Sequence, residues 1–418
     1  MRTVRDPAGG PTTGRGGHEG YRPGQPGYRR IAVALFAAGV ATFALIYSTQ
    51  ALLPELARAF SVSAADSTVS LSLTTAALGV ALLLFGPVAE VLGRTRLIHS
   101  SLLASAVVGL ACAAAPGWDA LLALRLVQGV ALAGLPAVAT AYLREEMHPG
   151  GYARTAGLYV GGTALGGMSG RLLTGAVADA AGWRWALAAV AGLGLVCALL
   201  VLVLLPGSRN FVPAPARPRQ LVTMTGRALS DPGLLALYGI GACAMGAFVA
   251  VYNALGFRLT AAPYHLSLGA AGLVFGVYPV GTVTSALAGR LVERFSRRTV
   301  VPTGALITMA GVALTLLGPL SLVVLGVAVM TAGFFVVHGV ASGWVPVRAA
   351  AGGVAAAQAA SLYLFAYYLG SSVFGGLAGR VWALGAWPAV VAMTLALLAV
   401  GGGLTFWLRR IPALASKT

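Results

Sequence analysis

Long apolar runs dominate this chain. Between Ile31 and Leu408 about twelve runs of roughly 18–25 residues carry almost no charge. Short Arg-rich or Gly/Pro-rich breaks separate the runs. A helix needs about 20 apolar residues to cross the hydrocarbon core of a bilayer. Because a backbone in lipid must satisfy its own hydrogen bonds, runs of this length fold as helices. The sequence therefore predicts a polytopic all-α membrane protein whose function depends on the few polar residues inside the membrane.

We predict twelve spans and no separate soluble domain, since charged residues make up only 9% of the chain. The expected spans are 31–53, 68–88, 97–115, 118–142, 154–177, 184–205, 234–257, 268–289, 299–317, 320–342, 354–378 and 386–408.

Basic residues are distributed unevenly over the breaks. If the N-terminus is cytoplasmic, the tails and even-numbered breaks hold 22 of the 28 Lys and Arg, and the opposite side holds four. This bias follows the positive-inside rule. It predicts a multi-pass protein of the inner (cytoplasmic) membrane with both termini in the cytoplasm. Basic loops suit an anionic lipid leaflet, so lipid is an expected partner and nucleic acid is not.

The two halves of the chain repeat each other. The pattern Gly-x-x-x-Glu-x-x-x-Arg occurs at 86–94 and again at 289–297, and the same offset carries Gln50 onto Asn253. Repeated halves are common in secondary transporters, although a channel or a membrane enzyme could also be duplicated. The expected units are a disordered tail 1–29, a six-helix bundle 30–206, a linker 207–232, a second six-helix bundle 233–410 and a tail 411–418.

Several stretches resemble motifs of the major facilitator superfamily. Residues 86–94 resemble its signature loop Gly-x-x-x-Asp-Arg-x-Gly-Arg-Arg, with Glu90 in place of Asp. Residues 125–129, Arg-Leu-Val-Gln-Gly, are similar to its Arg-x-x-Gln-Gly motif. Residues 162–171 look like its antiporter motif Gly-x-x-x-Gly-Pro-x-x-Gly-Gly, with Gly167 in place of proline.

Residues 252–259 resemble a bacterial inner-membrane branch of the superfamily that is labelled as arabinose-efflux permeases. The resemblance implies the major facilitator fold, with two pseudo-symmetric six-helix bundles around a central site. It also implies a secondary transporter rather than an enzyme, exporting a small polar or amphipathic solute in exchange for protons. A monomer without metal or cofactor is expected.

The signature loop is the expected conformational gate. The resemblance places Glu90 near the N-terminus of span 11, where a helix dipole favours an anion, with Arg94 helping to hold the contact. The alternative is a solvated ion pair between residues four apart. The expected gate residues are Gly86, Glu90, Gly93, Arg94, Gly289, Glu293 and Arg297.

Arg125 and Arg171 are the charges expected deep inside spans, where a charged side chain faces a cavity or a partner. Arg125 is expected to hold substrate or assist proton movement, whereas Arg171 could instead extend to the outer surface. Buried amides also need polar partners, which a hydrated central site provides. The expected translocation residues are Tyr47, Gln50, Arg125, Gln128, Arg171, Asn253, Tyr278, Gln358 and Tyr363.

Span 5 carries glycines on one face, which allow a second helix to approach closely. This face consists of Gly162, Gly166 and Gly170, and Gly167 belongs to the same antiporter-like packing motif. The resemblance implies that the packed face also seals the two halves against each other. Plain helix packing is the alternative.

No acidic residue is expected in the middle of a span, because all eleven Asp and Glu fall in tails, loops or span edges. His338 and Glu55 are therefore the candidate proton carriers, although a lone helical His is often structural.

Other functions are weighed against export. An uptake symporter or uniporter has the same fold, and so does a receptor or scaffold that has lost transport. A membrane enzyme is disfavoured, because neither His-Glu-x-x-His nor paired embedded carboxylates occur. ATP is not an expected energy source, because the chain lacks a phosphate-binding loop and its only lysine is Lys417.

Overall fold

The computed structural model describes residues 20–213 and 218–412. Over these residues the chain is helical, and its only β contact is a single bridge between Tyr21 and Met147. The predicted tail is ordered at its end: the Tyr21 N–H donates to the Glu146 carbonyl, and the first helix begins at Pro26. The tail predictions for 1–19 and 413–418 lie outside the described residues.

Twelve helical crossings account for the fold. Nine helices of the described chain are long and apolar enough to cross a bilayer. Two of them have 56 and 55 residues, and at 1.5 Å per residue each is about 80 Å long, far more than one crossing needs. Each contains a non-helical break, at Gly182 and at Gly385–Ala386, so each is two crossings. Arg297–Leu314, with 18 residues, completes the predicted twelve.

The helices follow the predicted spans with shifted ends. Span by span the bounds are Pro26–Ile46 with Gln50–Leu52 and Leu53–Ala59, Ala64–Leu92, Arg94–Ala113, Trp118–Leu132 with Gly134–Glu146, Pro149–Leu204 for spans 5 and 6, Pro232–Thr260, Leu268–Gly272 with Leu273–Val277 and Tyr278–Phe295, Arg297–Leu314, Leu320–Ala351, and Ala356–Arg410 for spans 11 and 12. Pro218–Ser230 is a further helix between the two halves.

The ends of the spans form two opposite faces of the molecule. We call the face with Tyr21, Gly93 and Met147 the terminal face, and the face with Ser63 and Ser267 the distal face. The turn at Gly93 has φ of 87°, a left-handed conformation that glycine adopts without a side-chain penalty. The connection between spans 2 and 3 is therefore tight.

Span 1 is interrupted where the sequence changes from apolar to polar. The helix ends at Ile46, and a short 3₁₀ turn at Gln50–Leu52 leads into Leu53–Ala59. Pro54 cannot donate a backbone hydrogen bond, and its ring would clash with the Gln50 carbonyl of a continuous helix. Ser48 Oγ also donates to the Leu45 carbonyl and competes with the helical ladder. The break frees backbone carbonyls inside the membrane.

The halves are hydrogen-bonded to each other near the middle of the molecule and towards the distal face. Thr68 Oγ1 donates to the Gly376 carbonyl at 3.0 Å, and Ser372 Oγ donates to the Ser72 carbonyl at 2.8 Å. Gly379 packs directly on the backbone of Ala64. Spans 2 and 11 thus form one seam between the halves.

A second seam joins spans 5 and 8 at the distal face. The Asp179 carboxylate accepts from Ser267 Oγ at 2.6 Å and from the Gly269 N–H at 2.8 Å. Gly175 lies against the Leu268 carbonyl, where a methyl group would be 2.9 Å from the oxygen. Among the described residues, hydrogen bonds between the halves do not continue to the terminal face.

The linker is more ordered than a flexible connection, because Pro218–Ser230 forms a helix. The segment before this helix binds the first half: Glu146 Oε1 accepts from the N–H groups of Arg209 and Asn210 at 2.7 and 2.9 Å. The helix itself binds the second half, where Gln358 Nε2 donates to Thr225 Oγ1 at 2.9 Å.

Candidate functional site

A polar network crosses the boundary between the halves at the centre of the bundle. Arg171 Nε donates to Gln50 Oε1 at 2.5 Å, and Gln50 Nε2 donates to Asn253 Oδ1 at 2.6 Å. Asn253 Nδ2 in turn donates to the Gly375 carbonyl at 2.9 Å. The network joins spans 5, 1, 7 and 11, and its central bond connects the two amides that occupy equivalent repeat positions.

Aromatic rings surround the guanidinium of Arg171, which is only 1% exposed. Its Cζ lies 4.1 Å from the ring centre of Tyr47 and 4.7 Å from that of Tyr278. Phe275 and Tyr252 follow at 5.0 and 5.8 Å. Cation–π attraction of this kind stabilises a cation that has left water. The predicted residues Tyr47, Gln50, Arg171, Asn253 and Tyr278 therefore form one site, and Arg171 does not extend to the distal face.

Arg125 has a different environment and is fully buried. Its Nη2 donates to the Ile46 carbonyl at 2.8 Å and its Nη1 to the Leu45 carbonyl at 3.2 Å, which are the carbonyls freed by the break in span 1. The remaining acceptors are the Ser70 carbonyl, Ser48 Oγ and Gln128 Oε1. The geometry makes Arg125 a support for the broken helix, whereas the sequence suggested a substrate contact.

Gln128 belongs to the same support. Its Oε1 accepts from Arg125 Nη1 at 2.6 Å, and its Nε2 donates to the Ser105 carbonyl at 3.0 Å. Both ends of the amide are thereby used within the first half.

His338 lies in an aromatic cluster of the second half. Its Nδ1 is 3.0 Å from Tyr363 Oη, and its ring stacks on Phe334 and lies 4.6 Å from the ring of Tyr367. The side chain is half-buried, whereas Tyr363 is 2% exposed. Tyr363 and His338 thus form a pair that is separate from the Arg171 network.

Two predicted residues lie away from the centre. Gln358 is at the terminal face, bonded to Thr225 of the linker helix. Glu55 is at the distal face, where it forms an ion pair with Arg58. Neither position is inside the membrane core, so neither side chain is part of the Arg171 site.

The glycine face of span 5 packs within its own half. Gly162 and Gly166 lie directly on the carbonyls of Phe36 and Val40, and Gly170 lies on Ala44, all in span 1. These contacts are those of plain helix packing, and the seam between the halves uses the next turn, at Gly175; sealing of the halves by the glycine face stays a prediction. Gly167 lies on a different side of the helix, where a methyl group would face Arg171 and Tyr278.

The two copies of the signature loop are held differently. In the first copy, Arg94 Nη2 lies 2.7 Å from Glu90 and 3.1 Å from Glu145 at the end of span 4. Glu90 is thus bound within the first half, and its expected contact with span 11 is absent from the described arrangement. Gly86 has open space around it.

In the second copy, Glu293 is exposed and forms no ion pair among the described residues, although Arg297 follows four residues later. Gly289 also has open space around it. The repeat position of Glu145 is occupied by Arg348, which pairs with Asp231 at 2.6 Å. A cation at that position cannot bind Arg297, which explains the difference from the first copy.

Sequence reasoning missed the distal seam at Asp179 and Ser267. Ser267 caps the N-terminus of span 8, as Ser63 caps span 2, and the two serines are repeat equivalents within one residue of the common offset. The first cap is completed by Asp66 of the same helix. Ala270 occupies the matching position in the second half, so the cap of span 8 lacks a carboxylate of its own helix. This difference could have indicated that an acidic residue of another span completes the cap.

Twelve helices in two bundles around a central polar network are typical of a secondary transporter. A family model of the Major Facilitator Superfamily matches residues 32–262. The MFS-type transporter YybF of Bacillus subtilis is 39% identical over 365 residues, which cover 87% of this chain and 90% of the relative. The inner membrane transport protein YnfM of Escherichia coli is 39% identical over 348 residues, 83% of each chain.

Solved structures show the same fold. A bacterial homolog of the human lysosomal transporter Spinster, in an inward-facing and occupied conformation, superimposes with a TM-score of 0.74 at 16% identity, over 92% of this chain and 97% of that one. This chain belongs to the major facilitator superfamily. It is a multi-pass membrane protein that transports a solute, and it is not an enzyme.

Proposed function

We propose that this protein is a secondary active transporter that exports a small polar or amphipathic solute by alternating access, in exchange for protons. The observation that carries the proposal is the network of Arg171, Gln50 and Asn253, which connects the halves at the middle of the membrane. A solute bound there contacts both halves, and its binding can bias their relative position.

The distribution of basic residues supports the orientation. The terminal face contains the even-numbered breaks, the side to which the sequence assigns the 22-to-4 excess of Lys and Arg, so we place this face in the cytoplasm. The hydrogen-bonded seams then close the protein towards the outside. This arrangement is one of the two end states that alternating access requires.

Cysteine labelling in intact cells tests the orientation. A cysteine at Ser208 should react only from the cytoplasm, and one at Ala262 only from outside. The native Cys112, Cys197 and Cys243 are buried and serve as an unreactive background. Labelling of both positions from one side would contradict the topology.

Proton coupling is proposed to run through His338. The described acids lie at the faces, whereas His338 is half-buried in the membrane with Tyr363 as its neighbour. An imidazole changes charge near neutral pH more readily than the other side chains of the core. Glu55 is a less suitable carrier, because Arg58 already compensates its charge.

Proteoliposomes with an imposed pH gradient test export and coupling together. A set of small organic acids, amines and neutral solutes is screened for movement against the proton gradient. His338→Gln should retain solute exchange measured without a pH gradient. It should abolish the increase in solute flux that the pH gradient causes in the wild type. Movement of the solute in the same direction as protons would show a symporter. Flux that does not depend on the pH gradient would show a uniporter, and binding of a solute without flux would show a receptor or scaffold.

A further inference from the structure

The buried guanidinium of Arg171 has no anionic partner among the described residues. The four ion pairs there, Arg58–Glu55, Arg94–Glu90, Arg94–Glu145 and Arg348–Asp231, lie at the two faces. A buried cation without an anion is unfavourable, and an intramembrane charge usually marks a ligand or ion path. The centre of the bundle therefore has a net positive charge that a ligand could compensate.

The neighbours of Arg171 leave part of its hydrogen-bonding capacity for a ligand. A guanidinium has five N–H donors. One donates to Gln50 and one to the Gly167 carbonyl at 2.5 Å. Both partners are neutral oxygens. A carboxylate forms charge-assisted bonds that are about twice as strong, so it would compete well for the same edges.

Rings and two fixed acceptors hold the guanidinium in place. The Cζ atom of Arg171 lies 4.1 Å from the ring centre of Tyr47 and 4.7 Å from that of Tyr278. A guanidinium donates in its own plane, so the N–H groups that Gln50 and Gly167 do not use are directed to acceptors at its edges. The group is thus oriented before any ligand arrives, which lowers the entropic cost of binding.

Arg125 is not an alternative anion site. Its acceptors are the carbonyls of Leu45, Ile46 and Ser70 together with two side-chain oxygens. An anion could bind there only if the broken part of span 1 lost its support.

A continuous series of rings leads away from Arg171 into the second half. Tyr252 lies 4.8 Å from Phe248, and Phe248 stacks on Phe334 at 4.0 Å. Phe334 in turn stacks on the half-buried His338. Tyr252, Phe248 and Phe334 are themselves buried. A ligand would therefore meet the series at the half-buried rings of Phe335 and His338, where flat unsaturated groups bind by offset or edge-on stacking.

From the cation and the ring series together, we propose that the transported solute is an organic anion with a flat aromatic body, and that Arg171 binds its acid group. This inference rests on the transport function proposed above and specifies its substrate class.

Three probes with the same number of carbon atoms and different charge test the inference. They are 3-phenylpropanoate, 3-phenylpropanol and 3-phenylpropylamine, added to the purified protein in detergent while thermal unfolding is followed. The anion should raise the unfolding temperature and bind about tenfold more tightly than the alcohol or the amine, as a charged hydrogen bond to a guanidinium would give. Cyclohexanepropanoate, which keeps the charge but lacks the aromatic ring, should bind more weakly than 3-phenylpropanoate.

Variants locate the effect. Arg171→Gln should remove the preference for the anion, and Arg171→Lys should retain only part of it, because an ammonium lacks the planar edge. Arg258→Gln is the matched control. Arg258 is also buried and stacked on a ring, that of Trp387 at 4.6 Å, but it lies near the distal face and donates to the Thr315 carbonyl. This variant should keep the wild-type preference.

The outcomes separate this inference from the transport function. Stabilisation by the amine rather than the anion, no effect of any probe, or an anion preference that survives Arg171→Gln would overturn the inference. Flux of a cation or neutral solute in the proteoliposome screen would do the same while leaving the transport function intact. Failure of every solute to move would instead contradict the transport function.

Discussion

The two halves of this transporter share a backbone plan, yet their buried polar residues serve different purposes. The first half has a broken span 1, both deep arginines and few rings near the centre. The second half has a continuous span 7 and the aromatic cluster around His338. Gln50 and Asn253 are the place where the repeat is still visible, because equivalent amides bond to each other.

The comparison shows how a duplicated fold becomes chemically asymmetric. Each half can accept new side chains without losing its helices, because the helices are held by small-residue packing such as that of Gly166 on Val40. The deep arginines lie in the first half, and most of the aromatic rings near the centre lie in the second. A solute that contacts both halves therefore meets cationic groups on one side and aromatic rings on the other.

The largest expected effect concerns the two deep arginines. Arg125→Ala removes the donor of the Ile46 carbonyl together with the other hydrogen bonds that hold the break in span 1, and should lower the free energy of unfolding by about 3 kcal/mol, since a buried acceptor left unsatisfied costs about 1–3 kcal/mol. Arg171→Ala should cost clearly less stability, because its main neighbours are rings and neutral oxygens. Thermal unfolding in detergent measures both. Equal losses would show that Arg171 is also a support, contrary to the site proposed here.

The distal seam should have the next largest effect. Asp179→Asn weakens two hydrogen bonds between the halves and should shift the population towards outward opening by about tenfold, the effect of losing roughly 1–2 kcal/mol. Accessibility from outside of a cysteine at Ala271, which is buried near the same seam and already carries a Cβ, measures the shift in this background.

Asp66→Asn is the matched control for that seam. Asp66 completes the equivalent helix cap by hydrogen bonds with Ser63, within the first half. Its substitution should reduce helix stability slightly and leave the accessibility unchanged. An equal shift in both variants would mean that helix capping, rather than contact between the halves, controls opening.

The smallest effect is expected at the signature loops. Glu90→Gln removes a partly exposed ion pair with Arg94 and should alter the balance of states a few-fold at most, since such pairs contribute under about 1 kcal/mol. Glu293→Gln should change nothing measurable, because Glu293 is exposed and forms no ion pair among the described residues. Cysteine accessibility from both sides of the membrane reports the ratio of inward-open to outward-open protein. An effect of Glu293→Gln without an effect of Glu90→Gln would contradict the expected difference between the two loops.

Much of the fold could be predicted from the sequence, because apolar length and the fixed repeat offset determine helix number and symmetry. The break in span 1 was harder to predict, since its signal, Pro54 after a polar segment, resembles an ordinary span end. The ordered stretch 20–29 was missed because its pairing with Met147 depends on a distant part of the chain.

The candidate site was predicted in composition and only partly in arrangement. Gln50, Asn253 and Arg171 are polar residues in apolar spans, so their type alone marks them. Sequence could not separate Arg171 from Arg125, because both are lone cations and their difference lies in neighbours on other spans. The seam at Asp179 needed the comparison of two helix caps across the repeat.

The anchored linker limits how far the halves can separate on the terminal face. Asn210 is held by Glu146 of the first half, whereas the helix from Pro218 to Ser230 is bonded to Gln358 of the second. The stretch 211–217 between these anchors is a covalent tether, and a chain of that length reaches at most about 25–30 Å when fully extended. The length of this stretch sets an upper limit on the separation of the two halves at the terminal face during the proposed alternating-access cycle. Shortening it would restrict that movement without changing any residue of the membrane core.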